Sequence, residues 1–188
     1  MKLISLFVLG VLAVSTSVVA ETTDPIKKAL LAAPNEAMAK DATVIKWKPD
    51  FTYEVLKKGT GRLVCYDLPG WPGERPFSVE CTSSEANLPR VAQNRKLAAM
   101  GGAGASDRGK IDGAVAAAAK DGTRIMSEVG SIWYKFWGNS EATAVRHSFI
   151  AMPNKTGKDV GLPEVRDANG SWVMFAGTSE AHIMLPGL

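Results

Sequence analysis

Histidine, cysteine and any large surplus of one charge are scarce in this sequence, and each scarcity closes off a class of function. His147 and His182 are the only imidazoles, and Cys65 and Cys81 the only thiols. Neither pair has a spacing such as His-Glu-x-x-His or Cys-x-x-Cys, so the common short zinc and dithiol signatures are missing. Basic residues number 22 and acidic residues 19, a formal net charge of +3. That balance is too weak to argue for nucleic acid or an acidic membrane as partner. The phosphate-cradling Gly-Lys-Ser/Thr loop and the Gly-x-Ser-x-Gly nucleophile elbow are also absent, and no cofactor fingerprint replaces them.

Long apolar runs are missing too, with one exception at the start. The chain opens MKLISLFVLGVLAVSTSVVA. Lys2 supplies a positive first region, Leu3 to Val14 an apolar core, and Val18 and Ala20 the −3 and −1 residues of a cleavage site. This pattern predicts a secretory signal over residues 1–20, cleaved to leave a mature domain at 21–188. The run breaks at Ser15-Thr16-Ser17, short of the about 20 residues a spanning helix needs. The expectation is a periplasmic or secreted protein with no membrane insertion after cleavage.

An even cysteine count in an exported chain reads as a disulfide between Cys65 and Cys81. The enclosed segment, CYDLPGWPGERPFSVEC, is rich in proline and glycine, which predicts little regular structure and a need for a covalent clasp. Closing a loop near this size is worth about 3 kcal/mol in the chain-entropy model.

What is present reads as a single α+β domain: N-terminal and central helices, then a mainly antiparallel sheet. Asp24-Pro25 marks a helix start, Ile26, Ala29, Leu30 and Ala33 recur at helical spacing, and Pro34 stops the run. A short helix is expected over Glu36 to Lys40 and a strand over Ala42 to Lys48. Thr52 to Lys58 and Arg62 to Tyr66 look like a hairpin through Gly59-Thr60-Gly61. Helices are expected from about Asn87 to Met100 and over Ile111 to Lys120, joined by the flexible Gly101–Gly109 loop. Strands follow over Arg124 to Trp137 (one, or two broken at Gly130), Arg146 to Met152, Trp172 to Ala176 and Ala181 to Leu185. Pro153 to Ser171 reads as a surface loop.

Two constellations carry candidate chemistry. If the strands of His147 and His182 were neighbours, the imidazoles could meet, with Glu180 or Asp159 adding a carboxylate, and form a metal site or a hydrolytic centre. The competing reading makes both histidines packing residues, Ser179 a turn former, and metal and catalytic sites absent. The aromatics are more suggestive. Trp133, Lys135 and Trp137 share one strand face and Tyr134 and Phe136 the other. Trp133 and Trp137 are therefore candidates for a ligand platform, unless helices cover both faces, and Trp71, flanked by Gly70 and Pro72 in the cysteine-enclosed segment, is a further candidate.

The closing stretch WVMFAGTSEAHIMLP (Trp172 to Pro186), together with Cys65 and Cys81 in a secreted precursor, resembles a group of small uncharacterised bacterial exported proteins. The resemblance implies export and nothing about site residues. The expected function is a non-enzymatic binding or structural role. The alternative is a metal-dependent or other hydrolase using His147, His182 and Glu180.

Overall fold

Asp24 and Pro25 start a helix for the reason the sequence suggests. In the computed structural model, which describes residues 21–68, 74–101, 108–166 and 170–185, the Asp24 carboxylate accepts from Ile26 N at 2.9 Å and Lys27 N at 3.1 Å. Two amides that a helix leaves bare are thereby satisfied. This helix, α1 (Pro25–Leu30), is followed by α2 (Glu36–Asp41), where the Asn35 side chain accepts from Met38 N at 2.9 Å. The expected signal, Trp71 and most of the Gly101–Gly109 loop lie outside the described residues.

Eight strands form one sheet: β1 (Thr43–Trp47), β2 (Tyr53–Lys57), β3 (Val64–Asp67), β4 (Phe77–Thr82), β5 (Ile132–Gly138), β6 (Val145–Ala151), β7 (Trp172–Met174) and β8 (His182–Leu185). Their order is β2-β1-β3-β4-β5-β6-β8-β7. Every neighbouring pair is antiparallel except β1 with β3. Two longer helices, α3 (Leu88–Met100) and α4 (Arg108–Lys120), separate β4 from β5, and a short α5 (Gly157–Val160) lies between β6 and β7. The α+β expectation holds.

Four local readings need correction. The hairpin expected between Thr52–Lys58 and Arg62–Tyr66 does not form, because β1 sits between β2 and β3. β1 runs inside the sheet, its backbone groups paired with β2 on one side and β3 on the other, and Val44, Ile45 and Trp47 are buried. The glycines instead carry the chain across the end of β1. Gly59 N donates to Thr43 Oγ1 at 3.1 Å and Gly61 N to Asp41 O at 2.8 Å, and a Cβ on Gly59 would lie 2.1 Å from Asp41 O.

The cysteine-enclosed segment has more regular structure than its prolines and glycines suggest. Its ends are β3 and β4, an antiparallel pair in which Cys65 and Cys81 are register partners joined by a bond of 2.07 Å. The strand expected from Arg124 starts only at Ile132, after Gly130 turns the chain at φ 79°. Residues before it are held by α3, whose Gln93 Oε1 accepts from Ile125 N at 2.8 Å. The loop after β6 contains α5, closed by Asp159 accepting from Thr156 N at 2.7 Å and Thr156 Oγ1 at 2.8 Å.

Helices cover both faces of the sheet's first half. On one face α1, α2 and the residues between them pack Ala29, Ala32, Ala33, Met38 and Ala39 around Val44, Cys65, Phe77, Val79 and Cys81. On the other, Leu88, Val91 and Ala92 of α3 meet Ile45, Trp47, Val64, Tyr66 and Trp133. α4 packs on α3 through Ile111 and Val115 against Leu97 and Ala98. The end of this second face around Trp137 and His147 is where partly exposed side chains gather.

Candidate functional site

The strands of the two histidines are neighbours, yet the imidazoles do not meet. In the β6–β8 register His182 lies opposite Ala151, four residues from His147 along β6, or about 13 Å of strand. His182 is packed by Phe149 at 4.6 Å and Phe175 at 5.7 Å between ring centroids, and its Nδ1–H donates to Glu180 O at 2.7 Å. The Glu180 carboxylate accepts from Arg90 at 2.9 Å and Arg124 at 3.1 Å. Asp159 is committed to the α5 cap. Among the described residues no group of three His, Cys, Asp or Glu side chains converges on a metal-sized site. The hydrolytic constellation of His147, His182 and Glu180 is therefore not assembled. Ser179 stays in the turn before β8, nearly buried at 5 % exposure.

The aromatic alternation along β5 is as the period-2 pattern requires, but its tryptophans have different fates. Trp133 is 1 % exposed, stacked on Phe149 at 5.9 Å with the Arg90 guanidinium 5.4 Å from its ring. A ring so covered cannot face a ligand, and its candidacy as a platform fails because α3 lies over this part of the sheet. Trp137, two turns of the pleat further on, stays partly exposed.

Around Trp137 the sheet and the segment before β4 gather positive charge. The Lys135 ammonium lies 4.7 Å and the Arg75 guanidinium 4.9 Å from the Trp137 ring centroid, within the range of cation–π attraction. The His147 ring meets Trp137 edge-on at 5.6 Å and is the register partner of Lys135. Arg166, from the segment before β7, lies 6.0 Å from the Trp172 ring. Burial first, then the charges of Lys135, Arg166 and Arg75, hold the His147 imidazole below its ordinary value of 6.5. Glu74 is the one carboxylate placed among these cations by a direct bond: it pairs with Lys135 at 2.7 Å and accepts from Ser78 at 2.8 Å. Among the described residues Arg75 and Arg166 meet no carboxylate within ion-pair distance. The arrangement is a partly exposed indole with His147 and two cations against it, Lys135 paired with Glu74 and Arg75 meeting no carboxylate among the described residues.

A second polar network lies deeper on the same face. Tyr66 donates to Glu80 Oε1 at 2.7 Å, both residues being buried. Burial raises the Glu80 carboxyl above its usual range, with Lys135 pulling the other way, and burial followed by Glu80 pushes the Tyr66 hydroxyl up. These groups are covered by α3 and serve packing. A separate groove lined by Trp47, Phe51, Tyr53, Leu88 and Pro89, about 500 Å³ in volume, is apolar apart from Thr52 and the Tyr53–Glu85 contact at its rim.

Alternation along β5 pointed to Trp137 and put Lys135 beside it. Arg75 and Arg166 had no comparable signal, since they come from irregular segments far apart in the chain. Trp71, the remaining platform candidate, lies outside the described residues. No helix among the described residues is long and apolar enough to cross a membrane. Compared with known proteins, the chain matches no family model, no curated protein and no solved structure.

Proposed function

We propose that this chain is an exported, non-enzymatic binding protein that takes its ligand at the Trp137 face. One observation carries the reading: Arg75, Lys135 and His147 pack against a partly exposed indole, and among the described residues Arg75 meets no carboxylate within ion-pair distance. A cation resting on an aromatic ring keeps its charge and its hydrogen-bond donors available to a ligand. The groups suited to acid–base or nucleophilic work favour a non-enzymatic role, because Glu180, Glu80 and His182 are each bound within the protein. Export is supported by the signal pattern of residues 1–20 and by a disulfide, which persists in oxidising compartments. The same signal and closing stretch support placing the chain among small bacterial exported proteins.

Two measurements test the proposal. Intact mass after expression with export should show a mature chain beginning at Glu21; a mass retaining Met1 contradicts export. The mature chain should bind without turnover in a screen of small anions, sugars and peptides read by tryptophan fluorescence, and Trp137→Phe should remove the response. Catalytic conversion of a hit, or a response indifferent to Trp137→Phe, contradicts the binding reading.

A further inference from the structure

The hairpin between β1 and β2 carries a costly residue at its tip. Phe51 N donates to Lys48 O at 3.0 Å, closing a turn through Pro49 and Asp50, and Lys48 N donates to Thr52 O at 2.7 Å. Asp50 Oδ1 fixes the bend by accepting from Thr52 N at 3.0 Å and Thr52 Oγ1 at 2.6 Å. Phe51 leaves the turn at φ 68°, left-handed backbone that glycine or asparagine takes readily and a bulky side chain does not. The turn's own hydrogen bonds make no use of the ring. Strain of this kind gathers where a fold presents a side chain to a ligand. Phe51 lines the groove of about 500 Å³ between this hairpin and the start of α3, together with Trp47, Tyr53, Leu88 and Pro89. Trp47 and Tyr53 are register partners whose rings meet edge-on at 5.5 Å. Glu85 stands at the rim, its Oε1 accepting from the Tyr53 hydroxyl at 3.4 Å. Among the described residues it meets no lysine or arginine within ion-pair distance. Arg95, 5.5 Å from the Trp47 centroid, does not line the groove. Three aromatic residues and an unneutralised carboxylate therefore border one space.

We infer that this groove is a second ligand site, which takes an organic cation carrying a quaternary or alkylated ammonium group. Aromatic faces hold the negative part of the ring quadrupole, so they draw a cation without hydrogen bonds, and methyl groups on its nitrogen suit the apolar lining. Glu85 adds the opposite charge at the rim. A bare metal ion would lose hydration that these walls cannot replace, and an anion would be repelled by Glu85. The site stands apart from the Trp137 face, since β1 and β5 are three strand spacings apart in the sheet, about 14 Å. Each site stands or falls without the other.

The test titrates the mature chain with choline chloride, sodium chloride holding the ionic strength constant. A parallel titration uses its uncharged isostere, the dimethylbutanol in which a tert-butyl group replaces the trimethylammonium. Indole N–H resonances report binding, with Trp47 assigned by Trp47→Phe. The Trp47 indole should shift saturably with a midpoint on the order of millimolar choline while the Trp137 indole stays in place. The isostere should bind at least about tenfold more weakly. Phe51→Gly suits the φ 68° backbone and should keep its fold by far-UV dichroism, yet lose at least about tenfold in choline affinity. Glu85→Gln changes an exposed side chain and should weaken choline several-fold. An isostere that binds as well as choline assigns the groove to neutral apolar ligands and overturns the inference. Choline binding that either folded variant leaves unchanged overturns it too, as does a Trp47 indole unmoved by tens of millimolar choline. A dimer in sedimentation that Phe51→Gly dissolves gives the groove to a second copy of the chain, and overturns it as well.

Discussion

Replacing Glu180 with alanine should cost about 3–5 kcal/mol of folding stability, the loss expected when one partner of a buried ion pair is removed. One oxygen, Oε1, accepts from both Arg90 and Arg124, and the side chains of Arg124, Arg90 and Glu180 are 1 %, 13 % and 12 % exposed. Burial, then the like charge of Arg90, already holds the Arg124 guanidinium down to about 10, and Glu180 pulls it back up. Without Glu180 two guanidinium groups face each other with Arg124 shut off from water. Glu180→Gln keeps an acceptor oxygen and should cost less. The Lys28–Asp67 contact is a suitable control, since it is longer at 4.0 Å and about a fifth exposed on each side. Lys28→Gln should cost under about 1 kcal/mol. Urea unfolding followed by dichroism and tryptophan fluorescence gives each difference by linear extrapolation. A carboxylate retained for chemistry rather than folding shows the opposite signature, its removal leaving stability unchanged or raised. A loss below about 1 kcal/mol for Glu180→Ala would therefore refute the assignment of Glu180 to architecture.

Three further outcomes follow from the same structure. Replacing Cys65 and Cys81 together with alanine should lower stability by about 2–5 kcal/mol, since the bridge closes a separation of 16 residues; urea unfolding checks it, and two freely alkylatable thiols in the exported protein would contradict the bond. Tyr66→Phe strips buried Glu80 of its 2.7 Å hydroxyl donor and should cost about 1–3 kcal/mol in the same assay. His147, lowered in the folded protein, binds protons more readily unfolded. The stability it contributes is present above pH 6.5 and lost as pH falls through its folded value. His147→Gln should remove that part of the acid loss of melting temperature.

The parts of the fold legible in the sequence were those set by neighbouring residues. The cap formed by Asp24 with Pro25 acts within three residues, and alternation along β5 follows from the pleat. The errors arose where partners lie far apart. Gly59-Thr60-Gly61 looks like a hairpin turn from nearby residues alone, but its amides are bound by Thr43 and Asp41 on the end of β1. The strand propensity of Arg124 to Val129 yields to Gln93 and Glu180, which capture that segment. The site divides the same way. Trp137 and Lys135 share a face by spacing, whereas Arg75 reaches it only through the tertiary fold. Trp133 has the same spacing as Trp137, and only the placement of α3 decides that one is core and the other is not.

The binding claim is tested most directly by the five tryptophan indole N–H resonances of the mature chain, with Trp137 assigned by Trp137→Phe. Titrated with a ligand found in the screen of small anions, sugars and peptides, the Trp137 indole should shift saturably while the Trp133 and Trp47 indoles stay in place. A spectrum in which Trp137 is unmoved, or in which the shift centres on Trp47 in the apolar groove, would contradict a ligand site at this face.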